Sequence, residues 1–226
     1  MIEYRNVSKI YNDNSCGLLE ISTKIEPGEF VSVVGQSGTG KSTFLKMLTR
    51  EERPSDGRVI FYGVDLSEIT KGELPYHRRR IGVIFQDFKL LDNRTAFENV
   101  AFALEVAGKP NEEIKKSTAQ ILDIVGLGEK KFSYPAELSG GEQQRIAIAR
   151  ALVHHPEVLI ADEPTGNLDI INTNEVIDLL LKINKLGTTI VLATHDKDTV
   201  NRINQRVIAM DEGRIIRDQK HGRYML

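Results

Sequence analysis

The chain has 226 residues, enough for one domain with a substantial core, and 30 basic and 32 acidic residues give it a formal net charge of −2. This balance argues against a protein that attracts nucleic acid through overall positive charge, so no nucleic-acid partner is expected. The single cysteine, Cys16, excludes an internal disulfide and indicates a reducing compartment. No secretory signal is visible after Met1, and no uncharged apolar run approaches the roughly 18 residues of a membrane-spanning helix. Any work at a membrane would therefore depend on a partner.

Residues 1–27 predict short strands separated by turns, because Ile2 to Tyr4 alternates in polarity and residues 12–14 form a turn cluster. Tyr11 lies in this segment and allows two interpretations. It could offer an aromatic surface to a nucleotide base, or it could be an ordinary half-buried tyrosine. The residue alone favours the second interpretation.

Residues 30–48 have the order of strand, glycine-rich turn and helix that a phosphate-binding loop requires. The turn fits the pattern G-x-x-x-x-G-K-S/T, and its glycines let backbone N–H groups face a phosphate at the positive N-terminal end of the helix. Lys41 is expected to bridge the β- and γ-phosphates and Ser42 to ligate Mg²⁺. A glycine-rich turn that binds nothing is the disfavoured alternative. The predicted nucleotide-binding residues are Gly35, Gln36, Ser37, Gly38, Thr39, Gly40, Lys41, Ser42 and Thr43.

The next segment predicts strands at 58–62 and 81–85, with a basic run at 77–80 between them. Such a run indicates a solvated face more readily than a site for anionic lipid or nucleic acid. Gln86 follows the second strand, at the sheet edge where open α/β folds bind ligands, so it is a candidate to bridge a metal or a water molecule. Residues 88–154 then have helical periodicity and are predicted to form a helical insertion.

Ser139 and Glu142 have the spacing of a capping box, and a helix is predicted to follow them. The cap does not explain the two glycines between them, Gly140 and Gly141, because glycine destabilises a helix. Bare backbone and a serine hydroxyl at a helix N-terminus would also suit a γ-phosphate. Since the chain already has one phosphate loop, this second anion site is predicted to serve the nucleotide of another subunit.

Two acidic residues, Asp162 and Glu163, end a buried strand at 158–161. Neighbouring strand residues point to opposite faces, so different roles are predicted for them. Asp162 is expected to hold Mg²⁺ through water, and Glu163 is the candidate general base that polarises the attacking water. Two solvated acids at a strand end are the alternative. His195 ends the strand 189–194 and is expected to donate to the γ-phosphate, although a lone histidine is more often structural.

The C-terminal segment predicts a hairpin, with strands at 207–210 and 214–216 joined by a three-residue loop at 211–213. The alternation of buried strands and helices along the chain predicts an α/β fold with a parallel sheet.

Six motifs, taken together in their order and spacing, resemble those of the ATP-binding-cassette ATPases. They are residues 35–43, Gln86, residues 138–143, Asp162 with Glu163, Leu168 with Asp169, and His195. The resemblance implies a P-loop NTPase with a RecA-like core and an N-terminal antiparallel β-subdomain in 1–87 and 155–226, together with a helical subdomain in 88–154.

The same resemblance implies a head-to-tail homodimer that encloses two ATP molecules with Mg²⁺. Each ATP would lie between one chain's phosphate loop and the other chain's signature residues. By position, Tyr11 becomes the residue that stacks on the base, and Leu168 and Asp169 become dimer contacts. The implied signature residues are Leu138, Ser139, Gly140, Gly141, Glu142 and Gln143.

Residues 49–55, 85–91 and 98–106 resemble, within these ATPases, the FtsE family of bacterial cell division. That resemblance implies a peripheral position at the cytoplasmic face of the inner membrane, under the integral membrane partner FtsX. ATP-driven closure would be relayed through FtsX to peptidoglycan hydrolases outside. A groove beside Gln86 would receive a partner helix, unless its apolar residues simply form the subdomain core. The predicted groove residues are Phe88, Leu90, Leu91 and Phe97.

Other functions are compatible with parts of this pattern. The ATPase of a lipoprotein-release or macrolide-type exporter is the main alternative, because it shares the sequence of residues 166–169. A soluble cassette protein of ribosomes or DNA usually needs two cassettes or a long coiled coil, for which 226 residues leave no room. A phosphate-loop GTPase is disfavoured because residues 184–187 lack the aspartate that would recognise guanine.

Overall fold

The computed structural model describes residues 1–12, 15–220 and 222. The chain divides into two compact units, the first made of Met1–Arg78 with Ile183–Leu226 and the second of Arg79–Lys182. Across the described residues, no helix combines the length and the apolar character of a membrane span. The boundaries of the predicted helical subdomain, 88–154, remain a prediction.

Strands and helices alternate along much of the chain, which confirms the predicted α/β class. The strands are β1 (Ile2–Ile10), β2 (Cys16–Ile25), β3 (Phe30–Val34), β4 (Asp56–Phe61), β5 (Val64–Asp65), β6 (Ile81–Ile84), β7 (Val158–Asp162), β8 (Thr189–Thr194), β9 (Arg206–Asp211) and β10 (Arg214–Gln219). The α-helices are α1 (Lys41–Leu48), α2 (Leu74–Arg79), α3 (Ala96–Val106), α4 (Asn111–Ile124), α5 (Gly140–Leu152), α6 (Ile170–Lys185) and α7 (Lys197–Ile203).

The first unit contains an antiparallel sheet in the order β2-β1-β4-β5. Strand β1 pairs with both β2 and β4, and it continues well beyond the alternating stretch that the sequence predicted at its start. Tyr4 of β1 is buried, and its ring stacks on Phe44 of α1 with the ring centroids 4.2 Å apart. Its hydroxyl donates a hydrogen bond to the Phe44 carbonyl at 2.8 Å. These contacts tie the antiparallel sheet to the helix that follows the glycine-rich loop.

The same unit contains parallel strands, with β3 between β8 and β9. Both β3 and β8 are buried along their whole length, as expected for parallel strands covered on both faces. Their register pairs Val34 with Thr194. Consequently, the glycine-rich loop and His195 leave these strands at the same edge.

The β9–β10 hairpin differs from the sequence prediction, because its loop has two residues rather than three. Asp211 pairs with Arg214 inside the ladder, which leaves Glu212 and Gly213 as the turn. Their φ angles are 44° and 77°. Two consecutive positive φ angles are typical of the type I′ turn, whose twist matches that of the strands it joins.

The prediction of a solvated face for the basic run 77–80 is wrong at His77. This side chain is buried, and its Nε2 lies 2.7 Å from the Leu48 carbonyl. The neighbouring Arg78 donates through Nε to the Thr49 carbonyl at 3.0 Å. Both side chains therefore hold the C-terminal end of α1, a role that a charge pattern does not reveal.

In the second unit β6 and β7 pair in parallel, with Ile84 opposite Ala161. Gln86 and Asp162 therefore emerge at the same edge of this strand pair. Helix α3 begins after Thr95, whose side chain and that of Glu98 form a capping box. Asn99 is fully buried in α3, where its amide oxygen accepts from the Leu91 backbone N–H at 2.7 Å and its amide nitrogen donates to nearby carbonyls. This amide fixes the loop that enters the helix.

Candidate active site

The glycine-rich loop closes around the side chain of Lys41, which is only 8% exposed. Its Nζ donates to the carbonyls of Gly35 and Gln36, each at 2.8 Å. The ammonium group is therefore held inside the curve of the loop, where a triphosphate would compete with these two carbonyls. Ser42, the next residue, is exposed in the first turn of α1.

Two glycines of the loop have no room for a side chain. Gly40 has a φ of 99°, and a Cβ there would collide with the carbonyl oxygen of Gly17. A Cβ at Gly35 would lie 2.5 Å from the Met210 carbonyl and from the Thr39 hydroxyl. The backbone N–H of Gly213 in the hairpin turn donates to the Thr39 carbonyl at 3.2 Å. The C-terminal hairpin thus supports the loop from outside.

Tyr11 lies against the first turn of α1. Its hydroxyl is 3.0 Å from the hydroxyl of Thr43, and the absence of a side chain at Gly17 makes room for its ring. The Nζ of Lys9 lies 5.0 Å from the centre of the ring. Tyr11 is partly exposed rather than packed in the core. The ring therefore stands beside the phosphate loop, although stacking on a base remains a prediction.

His195 is exposed at the turn between β8 and α7. Asp196 shapes this turn, because its backbone N–H donates to the Thr194 hydroxyl at 3.0 Å and its carboxylate accepts from the backbone N–H of Asp198 at 3.0 Å. The Thr199 hydroxyl donates to the same carboxylate at 2.5 Å. Sequence reasoning found His195 but missed the aspartate that caps α7 directly after it.

In the second unit, the residues after β7 form a tight turn around Glu163, whose φ is 48°. The Gly166 N–H donates to the Glu163 carbonyl at 3.1 Å, and the Asn167 side chain donates to the Gln86 carbonyl at 3.1 Å. A Cβ at Gly166 would lie 2.9 Å from the Gln86 side-chain nitrogen. The turn after Asp162 therefore packs directly on Gln86, and these predicted site residues lie together.

The capping box predicted at the start of α5 is confirmed. The Ser139 hydroxyl accepts from the Glu142 N–H at 3.3 Å, while the Glu142 carboxylate accepts from the Ser139 N–H at 2.9 Å. The ion pair with Lys130 at 2.5 Å, followed by the bond from the Ser139 N–H, holds the pKa of Glu142 below its ordinary value. The box does not exclude a phosphate at this helix end, which remains a prediction.

The glycines of the signature segment also have a packing reason that sequence reasoning missed. A Cβ at Gly141 would collide with the side chain of Asn172. Asn172 donates through its side-chain nitrogen to the Asp169 carboxylate at 2.6 Å and through its backbone N–H at 2.9 Å. These bonds, led by the backbone one, lower the pKa of Asp169. Gly140 is close to Leu168, since a Cβ on it would lie 3.4 Å from the leucine side chain.

The four residues predicted to line the partner groove are half-buried. Arg150 of α5 organises the backbone there, donating to the Phe88 carbonyl at 2.8 Å and to the Lys89 carbonyl at 2.6 Å. Phe88 and Lys89 have positive φ angles of 54° and 49°, which is uncommon for residues other than glycine. Leu91 is held by Asn99 as described above. Their role in binding a partner remains a prediction, as does that of Leu90 and Phe97.

A glycine-rich loop that encloses a lysine and leads from a buried parallel strand into a helix defines a phosphate-loop nucleotide-binding protein. Residues 18–166 match the family described as ABC transporter. The chain belongs to this family, and it is an ATPase of the ABC type.

Several similar proteins are named cell division ATP-binding protein FtsE. The one from Bacillus subtilis is 53% identical over 224 residues, covering 99% of this chain and 98% of the relative. The one from Mycobacterium tuberculosis is 46% identical, with 99% and 98% covered, and the one from Escherichia coli is 42% identical, with 95% and 97% covered. The chain therefore resembles FtsE over nearly its whole length, as its sequence predicted.

Solved structures of ABC cassettes share the fold. A dimeric post-hydrolysis state of the ATP-binding cassette MJ0796, bound to ADP and Pi, has a TM-score of 0.87 and is 34% identical, covering 99% of this chain and 100% of that one. CbiO1 from Clostridium perfringens, part of the ABC transporter complex CbiONQ, has a TM-score of 0.90 and is 33% identical, with 97% and 88% covered. These similarities confirm the predicted fold class.

Proposed function

We propose that the chain is the ATP-binding and ATP-hydrolysing subunit of an FtsEX-type complex in bacterial cell division. The observation that carries this proposal is the 53% identity to the Bacillus subtilis FtsE across almost the full length of both chains. Relatives named FtsE from Streptococcus pneumoniae, Mycobacterium tuberculosis and Escherichia coli support it.

The phosphate loop supplies the binding part of the mechanism. Lys41 would exchange the carbonyls of Gly35 and Gln36 for the β- and γ-phosphate oxygens, and its position inside the loop means that little reorganisation is needed. Backbone N–H groups at the start of α1 would face the same phosphates. Tyr11, beside the first turn of α1, would stack on the base. The loop therefore offers charge and donors to a triphosphate before the substrate arrives.

The residues proposed to hold Mg²⁺ are Ser42, Gln86 and Asp162. Mg²⁺ prefers oxygen ligands and keeps several waters beside one or two protein ligands and the substrate phosphates, and it neutralises charge on those phosphates. The exposed hydroxyl of Ser42 fits such a site. No group of three or more His, Cys, Asp or Glu side chains placed to ligate a metal occurs in the part of the chain that the structure describes. A metal held largely by phosphate and water needs no such group.

Glu163 would act as the general base, taking a proton from the water that attacks the γ-phosphate. Its position in a sharp turn that packs on Gln86 supports this role, since that turn has a defined backbone. His195 would donate a hydrogen bond to the γ-phosphate, where charge accumulates during transfer. The exposed position of His195 at the edge where the phosphate loop also leaves its strand supports that assignment.

We further propose that ATP closes a head-to-tail homodimer. The N-terminal end of α5, with Ser139 as its cap, would then meet the nucleotide of the opposite subunit. Leu168 and Asp169 would contact that subunit, and the exposed apolar side chains of Ile170 and Ile171, 76% and 69% exposed, would be covered. The dimeric state of a similar cassette bound to ADP and Pi supports this proposal.

The partner would be an FtsX-like integral membrane protein, which would hold the chain at the cytoplasmic face of the inner membrane. The groove predicted beside Gln86 would receive a helix of this partner, and the half-buried state of its four apolar side chains is compatible with this role. Closure of the dimer would be relayed through the partner to peptidoglycan hydrolases outside the membrane.

Purification of the tagged full-length chain from solubilised membranes tests this assignment. An FtsX-like protein should copurify, and depletion of the chain should produce filamentous cells. Copurification of a solute permease, or of a lipoprotein-release or macrolide-type export partner, together with cells of normal length, would contradict the division role. ATPase activity that persists in such a preparation would leave the ABC assignment intact.

A further inference from the structure

A fully buried glutamine lies four residues beyond the start of α5. The side-chain nitrogen of Gln144 donates to the carbonyl of Pro164 at 2.7 Å. The side-chain oxygen of the same amide is buried and accepts no hydrogen bond from any residue that the structure describes. The reverse orientation of the amide would place oxygen against oxygen, so the donor must face Pro164. An amide in such a place is costly, because half of its hydrogen-bonding capacity is lost on burial.

Pro164 follows directly on the proposed general base. Glu163 has a φ of 48°, in the left-handed region that residues with a side chain rarely adopt. The following proline also biases Glu163 towards an extended backbone, so this conformation must be imposed by its surroundings. The Gly166 N–H holds the Glu163 carbonyl at 3.1 Å, and Gln144 holds the next carbonyl along the chain. The bonds that hold the turn therefore include one from within it and one from α5.

We propose that Gln144 is a positioning residue for ATP hydrolysis, whose amide fixes the Pro164 carbonyl and thereby the direction of the Glu163 side chain. The inference rests on the proposed role of Glu163. Helix α5 begins at Gly140, directly after its cap Ser139, so the helix that carries the signature segment also holds the turn of the proposed base. On this view the chain tolerates the cost of burying the unpaired Gln144 oxygen because the nitrogen of the same amide has a function.

The replacement Gln144→Met tests this proposal, since methionine fills a similar volume and removes both the donor and the unpaired oxygen. A residue that only stabilised the fold would lower the unfolding temperature without changing kcat for the folded protein. Loss of a positioning residue predicts an unchanged KM for ATP and a kcat of the folded variant that is lower by about 10- to 100-fold, whatever the change in unfolding temperature. Gln144→Leu provides a second variant if the methionine form does not fold.

Thr118→Val is the matched control. Thr118 is also fully buried in the second unit, with a hydroxyl that has no partner among the described residues, and it lies in α4. Its replacement should leave kcat unchanged. An equal loss of kcat in Thr118→Val would show that removing any buried polar group in this unit slows the enzyme, and would overturn the proposal.

A double-mutant cycle separates this inference from the proposed function. If Gln144 acts through Glu163, then Gln144→Met combined with Glu163→Gln should hydrolyse ATP as slowly as Glu163→Gln alone. If the two replacements lowered kcat independently, so that the double variant was slower than Glu163→Gln by the factor that Gln144→Met alone produces, the inference would be overturned. A normal kcat in Gln144→Met together with an inactive Glu163→Gln would also overturn it. Normal hydrolysis by Glu163→Gln would instead contradict the assignment of the base.

Discussion

Replacing Lys41, a residue that is 8% exposed, with alanine would remove an ammonium group that is bonded to two carbonyls of its own loop at 2.8 Å each. In the absence of nucleotide the loop keeps its other supports, namely the bond from Gly213 to Thr39 and the bond from the Thr39 hydroxyl to the Gln36 carbonyl at 2.9 Å. The fold should therefore tolerate the change. ATP binding should not, because the triphosphate loses its buried cation.

The size of the loss follows from the two bonds that Lys41 makes. Each would become a charge-assisted hydrogen bond to a phosphate oxygen, and bonds to charged groups contribute about 1.5–3 kcal/mol each. Part of this free energy is offset, because the carbonyls of Gly35 and Gln36 lose their donor when ATP binds. A net loss of about 3 kcal/mol corresponds to roughly 100-fold weaker binding.

Equilibrium titration of Lys41→Ala with a fluorescent ATP analogue measures this change directly, and circular dichroism checks that the variant is folded. Lys46→Ala is the matched control, since Lys46 is an exposed lysine in the last turn of the same helix. Its dissociation constant should stay within about twofold of the parent value. Parental affinity in a folded Lys41→Ala variant would refute the assignment of the phosphate loop.

Three further predictions concern the second unit. Glu163→Gln should leave ATP affinity unchanged and lower kcat by about 100- to 10,000-fold, with a stable ATP-bound dimer in size-exclusion chromatography; rapid hydrolysis would place the base elsewhere. Gly141→Ala should lower the free energy of unfolding by about 1–3 kcal/mol because its Cβ meets Asn172, and adding Asn172→Ala should restore much of this loss in urea denaturation. Because Lys130 above all lowers the pKa of Glu142, the stability this carboxylate contributes is present above its ordinary pKa of 4.5 and is lost as the pH falls below it. Lys130→Met should therefore lose less stability than the parent between pH 7 and the acid range, and an identical acid dependence would contradict this reasoning.

The sequence predicted those parts of the site that depend on neighbouring residues. The strand, turn and helix around Lys41 are local, and so is the capping box between Ser139 and Glu142. The parallel arrangement also followed from the runs of buried residues. The hairpin loop was predicted one residue too long, because Asp211 has a typical turn side chain yet pairs with Arg214.

Residues whose partners lie far along the chain were missed. Gln144 bonds to a carbonyl 20 residues away, and Arg150 to a carbonyl 62 residues away. Each is one of several polar residues in α5, and a pattern of hydrophobicity does not show which of them bonds to a distant carbonyl. The burial of His77 was missed for the same reason, since its partner is the Leu48 carbonyl 29 residues earlier.

The support that Gly213 gives to Thr39 has a consequence for biosynthesis. A ribosome completes the residues of the glycine-rich loop long before it reaches the last hairpin. Leu19 of β2 depends on the same turn, since its N–H donates to the Gly213 carbonyl at 2.8 Å. A chain truncated before β9 would contain all the residues of the glycine-rich loop but would lack the hairpin turn that supports this loop. Competence to hold ATP should therefore arise late in translation, after the final strands have joined their sheet.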